Sequence, residues 1–478
     1  GFPSGESRLA GVIMRGGYGA GAALGLIGLV GLVGLGACSN GKSGTGPGGN
    51  ICTVASAGPT SSSGLSLKPF CVPKEPGPGG ITFAASGEVL ALTGYDFPPA
   101  QSGNAAFVDG WEMRFTRLLV TVDKIRMSTN PDKVPTDQEQ TDGVVAELDG
   151  PWAIDLSHSD PSYLPGKGGP GEEAVPIAAL GSQNKNGNAA FATDGTRYAF
   201  GFDAVPATLS AQNVNIDAPG LDDYGQMITD QCVVLYVGTA TFKGDKTDPN
   251  CYPSTYASWP DVVNFRLCFK SPTTYENCQN PDNDPATAFP NEEHQRGVAF
   301  LANKSVVGQV TFHTDHPFWD SVLHDSPTHF DQFAARAVTG APHASTDGGA
   351  GAGAEGGALD DGGASEAGAV DASTGGANDG GIPLVTLEMT KGIDYAEYTD
   401  ALGEILNWRY CMDPPTDVHA KFTGAMKFDA QNLGHAIGGD PSTGLRDYYD
   451  YSTYDQSTQG HLNSDGLCYV KRNYPAPD

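Results

Sequence analysis

The stretch Trp111-Glu-Met-Arg-Phe-Thr-Arg-Leu-Leu-Val-Thr-Val122 sets the fold class. Trp111, Met113 and Phe115 alternate with Glu112 and Arg114, the two-residue period of a strand with one buried face. Leu118, Val120 and Val122 continue the alternation in the opposite phase. The slip near Arg117 predicts a bulge or a bend between sheets, since one extra residue turns every later side chain to the other face. Residues 152–156, 175–180, 197–202, 232–242, 262–269 and 306–313 read as further strands, and 221–229 as a short helix. Turns rich in Gly and Pro separate them. The expectation is a mainly β protein: an antiparallel sandwich or barrel-like body, a few short helices, and a loop-rich, disulfide-linked C-terminal region.

Working outward, residues 81–339 form the β-rich domain. Residues 340–381 hold 14 Gly and 11 Ala and no Lys or Arg, so they cannot bury a core and read as a disordered, dispensable linker. Residues 382–478 read as a C-terminal region packing on the β domain, with a short helix over 394–401. At the other end, Met14-Arg15 precedes an apolar Gly/Ala/Leu/Val stretch from 16 to 37. That is the pattern of a secretory signal, so 1–37 is expected to be removed, with the natural start at Met14. The stretch ends Leu35-Gly36-Ala37-Cys38, which resembles a bacterial lipobox and makes Cys38 the expected lipidation site. Residues 38–80 then read as a lipidated Cys and a flexible Gly/Ser/Pro stalk. The expected location is the cell envelope, as an outer-membrane lipoprotein held by its lipid anchor.

The net charge is −29, and no basic run is present, which argues against nucleic acid as a partner. Without Cys38, eight cysteines remain: Cys52, Cys71, Cys232, Cys251, Cys268, Cys278, Cys411 and Cys468. An even number in an exported chain reads as a disulfide framework. Cys52 and Cys71 lie together near the tether, and the four between 232 and 278 stay open in connectivity. Cys411–Cys468 is the expected C-terminal pair, because no other cysteine lies in that part of the chain. No C-x-x-C occurs, so thioredoxin chemistry and zinc ribbons are not expected.

The densest polar cluster starts at His313-Thr-Asp-His-Pro-Phe-Trp-Asp320 and runs on through His324, Asp325, His329 and Asp331. Imidazole with carboxylate suits a divalent transition metal such as Zn or Cu. With Val306, Gly308, Val310 and Phe312 on the core face, His313 points to the opposite, wetter face. Pro317 marks the first turn of a helix, so His313, Asp315 and His316 meet at a strand-to-helix junction, with Asp320 as a further carboxylate. The competing reading makes Asp315 a helix cap and Phe318 and Trp319 core anchors. His461 joins this site only if Cys468 brings the C-terminus there. The Asn463-Ser-Asp-Gly466 portion reads as a turn rather than a calcium loop, because the closing Glu is missing. Tyr448, Tyr449, Tyr451 and Tyr454 read as a loop packing on the sheet, or as an aromatic sugar-binding face.

The stretches SGEVLALTGYDFP (86–98), FVDGWEMRFTRLLVTVDKIRM (107–127) and GPWAIDL (150–156) resemble a family of hypothetical lipoproteins of Gram-negative soil bacteria. VTFHTDHPFWD (310–320), THFDQFAA (328–335) and GHLNSDGLC (460–468) are similar to the same family. The resemblance implies an envelope location and a common fold, and it implies no mechanism. No G-x-S-x-G, H-E-x-x-H or P-loop occurs. The expectation is a non-enzymatic, envelope-tethered binding protein for a transition metal. The alternatives are a metal-dependent hydrolase using the cluster from His313 to Asp331, or a purely structural envelope component.

Overall fold

The computed structural model describes residues 50–158, 174–182, 189–283, 292–319, 327–339, 381–391, 409–412 and 447–472. The signal at 1–37, Cys38, the linker at 340–380, the helix at 394–401 and Asp320 lie outside the described residues.

The strands are β1 (Cys52–Val54), β2 (Cys71–Pro73), β3 (Ile81–Ser86), β4 (Trp111–Thr129), β5 (Val144–Leu148), β6 (Trp152–Asp155), β7 (Val175–Leu180), β8 (Asp194–Ala204) and β9 (Gln212–Asn213). They continue with β10 (Val234–Phe242), β11 (Val262–Phe269), β12 (Thr273–Glu276), β13 (Val298–Leu301), β14 (Val306–Phe312), β15 (Leu384–Thr386), β16 (Gly460–Leu462), β17 (Gly466–Leu467) and β18 (Tyr469–Arg472). The helices are α1 (Glu88–Thr93), α2 (Ala218–Thr229), α3 (Asp331–Thr339) and α4 (Tyr448–Gln456). The protein is mainly β, as its alternation implies. An eleven-stranded sheet carries the path β15-β11-β10-β4-β8-β12-β18, and a five-stranded sheet runs β17-β16-β14-β3-β7. Most pairs are antiparallel; β3–β14, β6–β9 and β11–β15 are parallel.

The two sheets share one core. Phe83 of β3 stacks on Phe200 of β8 with ring centroids 6.0 Å apart, and Phe312 of β14 meets Phe202 of β8 edge-on. Each fully buried ring of this kind contributes ~1.5–3 kcal/mol through apolar burial. The far face of the large sheet is covered by α2, whose Leu221, Tyr224 and Met227 pack with Leu119, Ala153 and Leu235. Asp217 caps that helix by accepting from the Gly220 amide at 2.8 Å.

The phase slip near Arg117 is a bulge. Arg117 pairs with Val237 and Phe115 with Gly238, which leaves Thr116 without a counterpart. Glycine is required at 238, since a Cβ there would lie 2.2 Å from the Arg114 carbonyl oxygen.

Three expectations are corrected. From residue 50 the stalk is part of the body: β1 pairs with β2, Phe70 enters the core, and Lys68 exchanges backbone hydrogen bonds with Ala211 and Asn213. Leu67 and Phe70, buried among Gly and Ser, outweigh the average composition. The C-terminal region does not pack on a finished domain at 81–339, because β15 and β18 belong to the large sheet and β16 and β17 to the small one. Cys411 and Cys468 do not pair with each other. The disulfides are Cys52–Cys71, Cys232–Cys268, Cys251–Cys411 and Cys278–Cys468. Strand pairing explains the difference. Glu276 of β12 faces Tyr469 of β18, so Cys278 and Cys468 meet just beyond that ladder.

Non-reducing peptide mapping should recover Cys251 linked to Cys411 and Cys278 linked to Cys468. A Cys411–Cys468 peptide would contradict this topology.

Candidate metal centre

Strand β14 lies between β3 and β16 and is buried on both faces, so Gln309 and Thr311 are as enclosed as Val310 and Phe312. The chain leaves β14 at His313 and enters a 3-10 turn over His316–Phe318, with Pro317 in its first turn. Asp315 stands at the cap position, yet its side chain makes no capping hydrogen bond. His313, Asp315 and His316 each offer a ligand atom, and these atoms lie within 4.8 Å of one another. Three of the four residues selected from the sequence are therefore brought together; the fourth, Asp320, lies outside the described residues. Phe318 is a core residue, meeting Phe107 and Phe333 edge-on. Trp319 is buried and stacks on the His316 ring at 3.8 Å.

The site is less exposed than its position after a strand suggests. His313 is only half-buried, but His316 is 1% exposed and His461 is fully buried. The reason is the C-terminal hairpin β16–β17, which lies over the junction. Its turn residues Asn463 and Ser464 adopt positive φ, the turn expected at 463–466. Asn463 and Gln309 exchange hydrogen bonds at 2.9 Å each, and the Ser464 amide donates to Thr311 Oγ1 at 3.0 Å. Thr311 of β14 faces His461 of β16. The His461 ring comes to 4.3 Å from that of His313 and 5.4 Å from that of His316. Only tertiary pairing brings His461 here; its local sequence carries no ligand spacing.

The hairpin and the chain before it also orient the two imidazoles. The Thr458 hydroxyl donates to the Asp455 carbonyl at 2.7 Å and has no second hydrogen. It therefore accepts from His316 Nδ1–H at 2.7 Å, which places the lone pair of the neutral ring on Nε2. His313 Nε2 donates to the Ser464 carbonyl at 2.9 Å, leaving Nδ1 as the basic nitrogen. Burial pulls the His313 pKa down, but Glu88, Asp315, the Ser464 carbonyl and Asp465 outweigh it, and the net shift is upward. Glu88 and Asp465 form a second group with His313 within the same 4.8 Å. Glu88 sits at positive φ, and its carboxylate accepts from Ser464 Oγ at 2.6 Å.

His329 and Asp331, which the sequence places in the same cluster, belong to a different and fully buried centre. Asp331 accepts from Trp111 Nε1 at 2.8 Å and from the Arg409 side chain and backbone amide. The Arg409 guanidinium lies within 5.4 Å of the ring centroids of Trp111, Phe242, Tyr256 and Trp259. Asp109 Oδ2 accepts from the amides of Phe330 and Asp331, while its Oδ1 is buried without a hydrogen bond. Every contact here ties strand to helix to the disulfide-linked 409–411 segment, which is a structural role. Tyr448 and Tyr451 are also structural, buried in the core on α4 rather than on a loop. Asp155, Ser157 and His158 are adjacent but form no nucleophilic relay, since Ser157 Oγ and Asp155 Oδ2 both approach His158 Nδ1.

Comparison with protein-family models, curated proteins and solved structures finds no match to this chain. Among the described residues, no helix is long and apolar enough to cross a membrane.

Asp109 supplies a pH test of the buried centre. Burial, then the Asp331 charge, push its carboxyl up to about 7 from an ordinary 3.8. A raised acid keeps its proton longer in the folded state, so its contribution to stability is lost as pH rises from about 4 to about 7. Asp109→Asn keeps the acceptor for the two amides and removes that loss. In urea titrations the variant should match the wild type near pH 4 and be the more stable at pH 8. A less stable variant at pH 8 would contradict this assignment.

Proposed function

We propose that this protein is an exported, lipid-anchored binding protein of the bacterial cell envelope that holds a divalent transition metal, Zn or Cu(II). His313, His316 and Asp315 are its ligands. The single observation that carries the reading is the convergence of their ligand atoms within 4.8 Å at a junction whose carboxylate caps nothing. Two imidazoles and a carboxylate match the donor preference of zinc and copper over calcium or magnesium. The hydrogen bonds from His316 to Thr458 and from His313 to Ser464 are the outer contacts that orient metal-binding imidazoles elsewhere. The envelope assignment rests on the signal pattern ending at Cys38, on the resemblance to predicted lipoproteins, and on the even cysteine count after Cys38. Four disulfides among the described residues fit an oxidising compartment.

Isothermal titration of the untagged, metal-stripped protein with Zn(II) should give one site per chain. The double variant His313→Ala, His316→Ala should abolish it. Because His316 is buried against Trp319, that variant should also lose stability, by about 1–3 kcal/mol. Unchanged zinc binding in the folded double variant would refute the ligand assignment. Separately, the chain expressed in a Gram-negative host should take up a fatty-acid probe, and Cys38→Ala should not. A Cys38→Ala chain that still labels would exclude lipidation at this position.

A further inference from the structure

The metal ligands lie on one chain segment and the groups that orient them on another. His313, Asp315 and His316 follow β14, whereas Thr458, His461, Ser464 and Asp465 come from the C-terminal segment. That second segment is tied covalently to the body within a few residues of the site, by Cys278–Cys468. We propose that the Cys278–Cys468 disulfide controls metal affinity: oxidised, it holds the C-terminal hairpin over the site; reduced, it lets the hairpin lift and the site loosen. This inference rests on the metal-binding reading above.

The geometry is specific to this disulfide. Cys468 directly follows β17 and directly precedes β18, so the bond sits where the chain passes from the small sheet to the large one. On the small-sheet side, β16 and β17 are short, three and two residues, with few ladder bonds of their own. The bond joins residues 190 apart in the chain, so it fixes the start of β18 and the end of β17 to Cys278, just beyond β12. Without it, the hairpin depends on short ladders and on the Asn463 and Ser464 contacts. Its lifting removes the Ser464 acceptor that sets the His313 tautomer and the His461 ring that packs on both imidazoles, while Thr458, which follows α4, keeps its contact with His316. Loss of such outer contacts costs ~10–100-fold in metal affinity.

The chemistry is thiol–disulfide exchange. Cys278 is fully buried and Cys468 is half-buried, so a thiolate of an external dithiol attacks the Cys468 sulfur. The S–S bond breaks and Cys278 leaves as a thiolate that takes up a proton. The second thiol of the reductant then resolves the mixed disulfide. The dithiol ends as a disulfide, and Cys278 and Cys468 end as two thiols, a two-electron, two-proton transfer.

The test compares Zn(II) affinity in three full-length forms: wild type, Cys278→Ser with Cys468→Ser, and Cys52→Ser with Cys71→Ser. The Cys278/Cys468 variant should bind at least tenfold more weakly, and the Cys52/Cys71 variant as tightly as the wild type. Should the Cys278/Cys468 variant fail to fold, linkage supplies the second measurement, since coupling is reciprocal. Bound zinc must then shift the equilibrium of the Cys278–Cys468 bond of the wild type, poised against a graded reduced/oxidised dithiol buffer at fixed free zinc and read by alkylation and mass spectrometry, at least tenfold toward the disulfide. Wild-type affinity in the folded Cys278/Cys468 variant, or reduction indifferent to zinc, overturns the inference alone. A wild type that binds no zinc overturns it together with the proposed function.

Discussion

The crossing of residues 460–472 between the two sheets is the constraint on which the rest of the molecule depends. One short segment supplies β16 and β17 to the small sheet and β18 to the edge of the large one. Strands of two to four residues are too short to hold such a position alone. The ladder β12–β18, the disulfide to Cys278 and the Gln309–Asn463 hydrogen bonds hold it together. Once this segment is in place, His461 must lie against His313, and Ser464 must cover it. The site is thus a consequence of sheet closure rather than a decoration on a loop.

A second tether sits at the opposite extreme of polarity. Asp331 and Arg409 form a buried ion pair, and burial of two charges is costly unless every donor and acceptor is served. Here Asp331 receives Trp111, the Arg409 side chain and the Arg409 amide, and four rings face the guanidinium. The pair anchors the start of α3 to the first residue of β4 and to the segment carrying Cys411. Asp109, beside it, is fully buried next to the Asp331 charge, which is why its proton is held so strongly.

Much of this was legible in the sequence wherever the signal is local. The alternation at 111–122, with its phase slip, marks β4 and the Thr116 bulge, and the short helix read at 221–229 is α2, which starts at Ala218. The junction His313–Asp315–His316 could be read because a strand ends and Pro317 starts a turn within four residues. What could not be read depends on partners distant in the chain. Nothing near Cys468 distinguishes Cys278 from Cys411; the β12–β18 register does. Nothing near Arg409 or Asp109 marks them as neighbours of Asp331. The small apolar set Leu67 and Phe70 was hidden by the Gly, Ser and Pro around it, and so a docked segment read as a stalk.

The central claim is that β14 and the turn after it present imidazole and carboxylate to one metal ion. X-ray absorption at the zinc edge of the stoichiometrically loaded protein addresses it most directly. The account predicts nitrogen and oxygen neighbours at ~2.0–2.1 Å with the outer-shell scattering of two or more imidazoles, and no sulfur. A shell of oxygens alone, or a sulfur neighbour near ~2.3 Å, would contradict it.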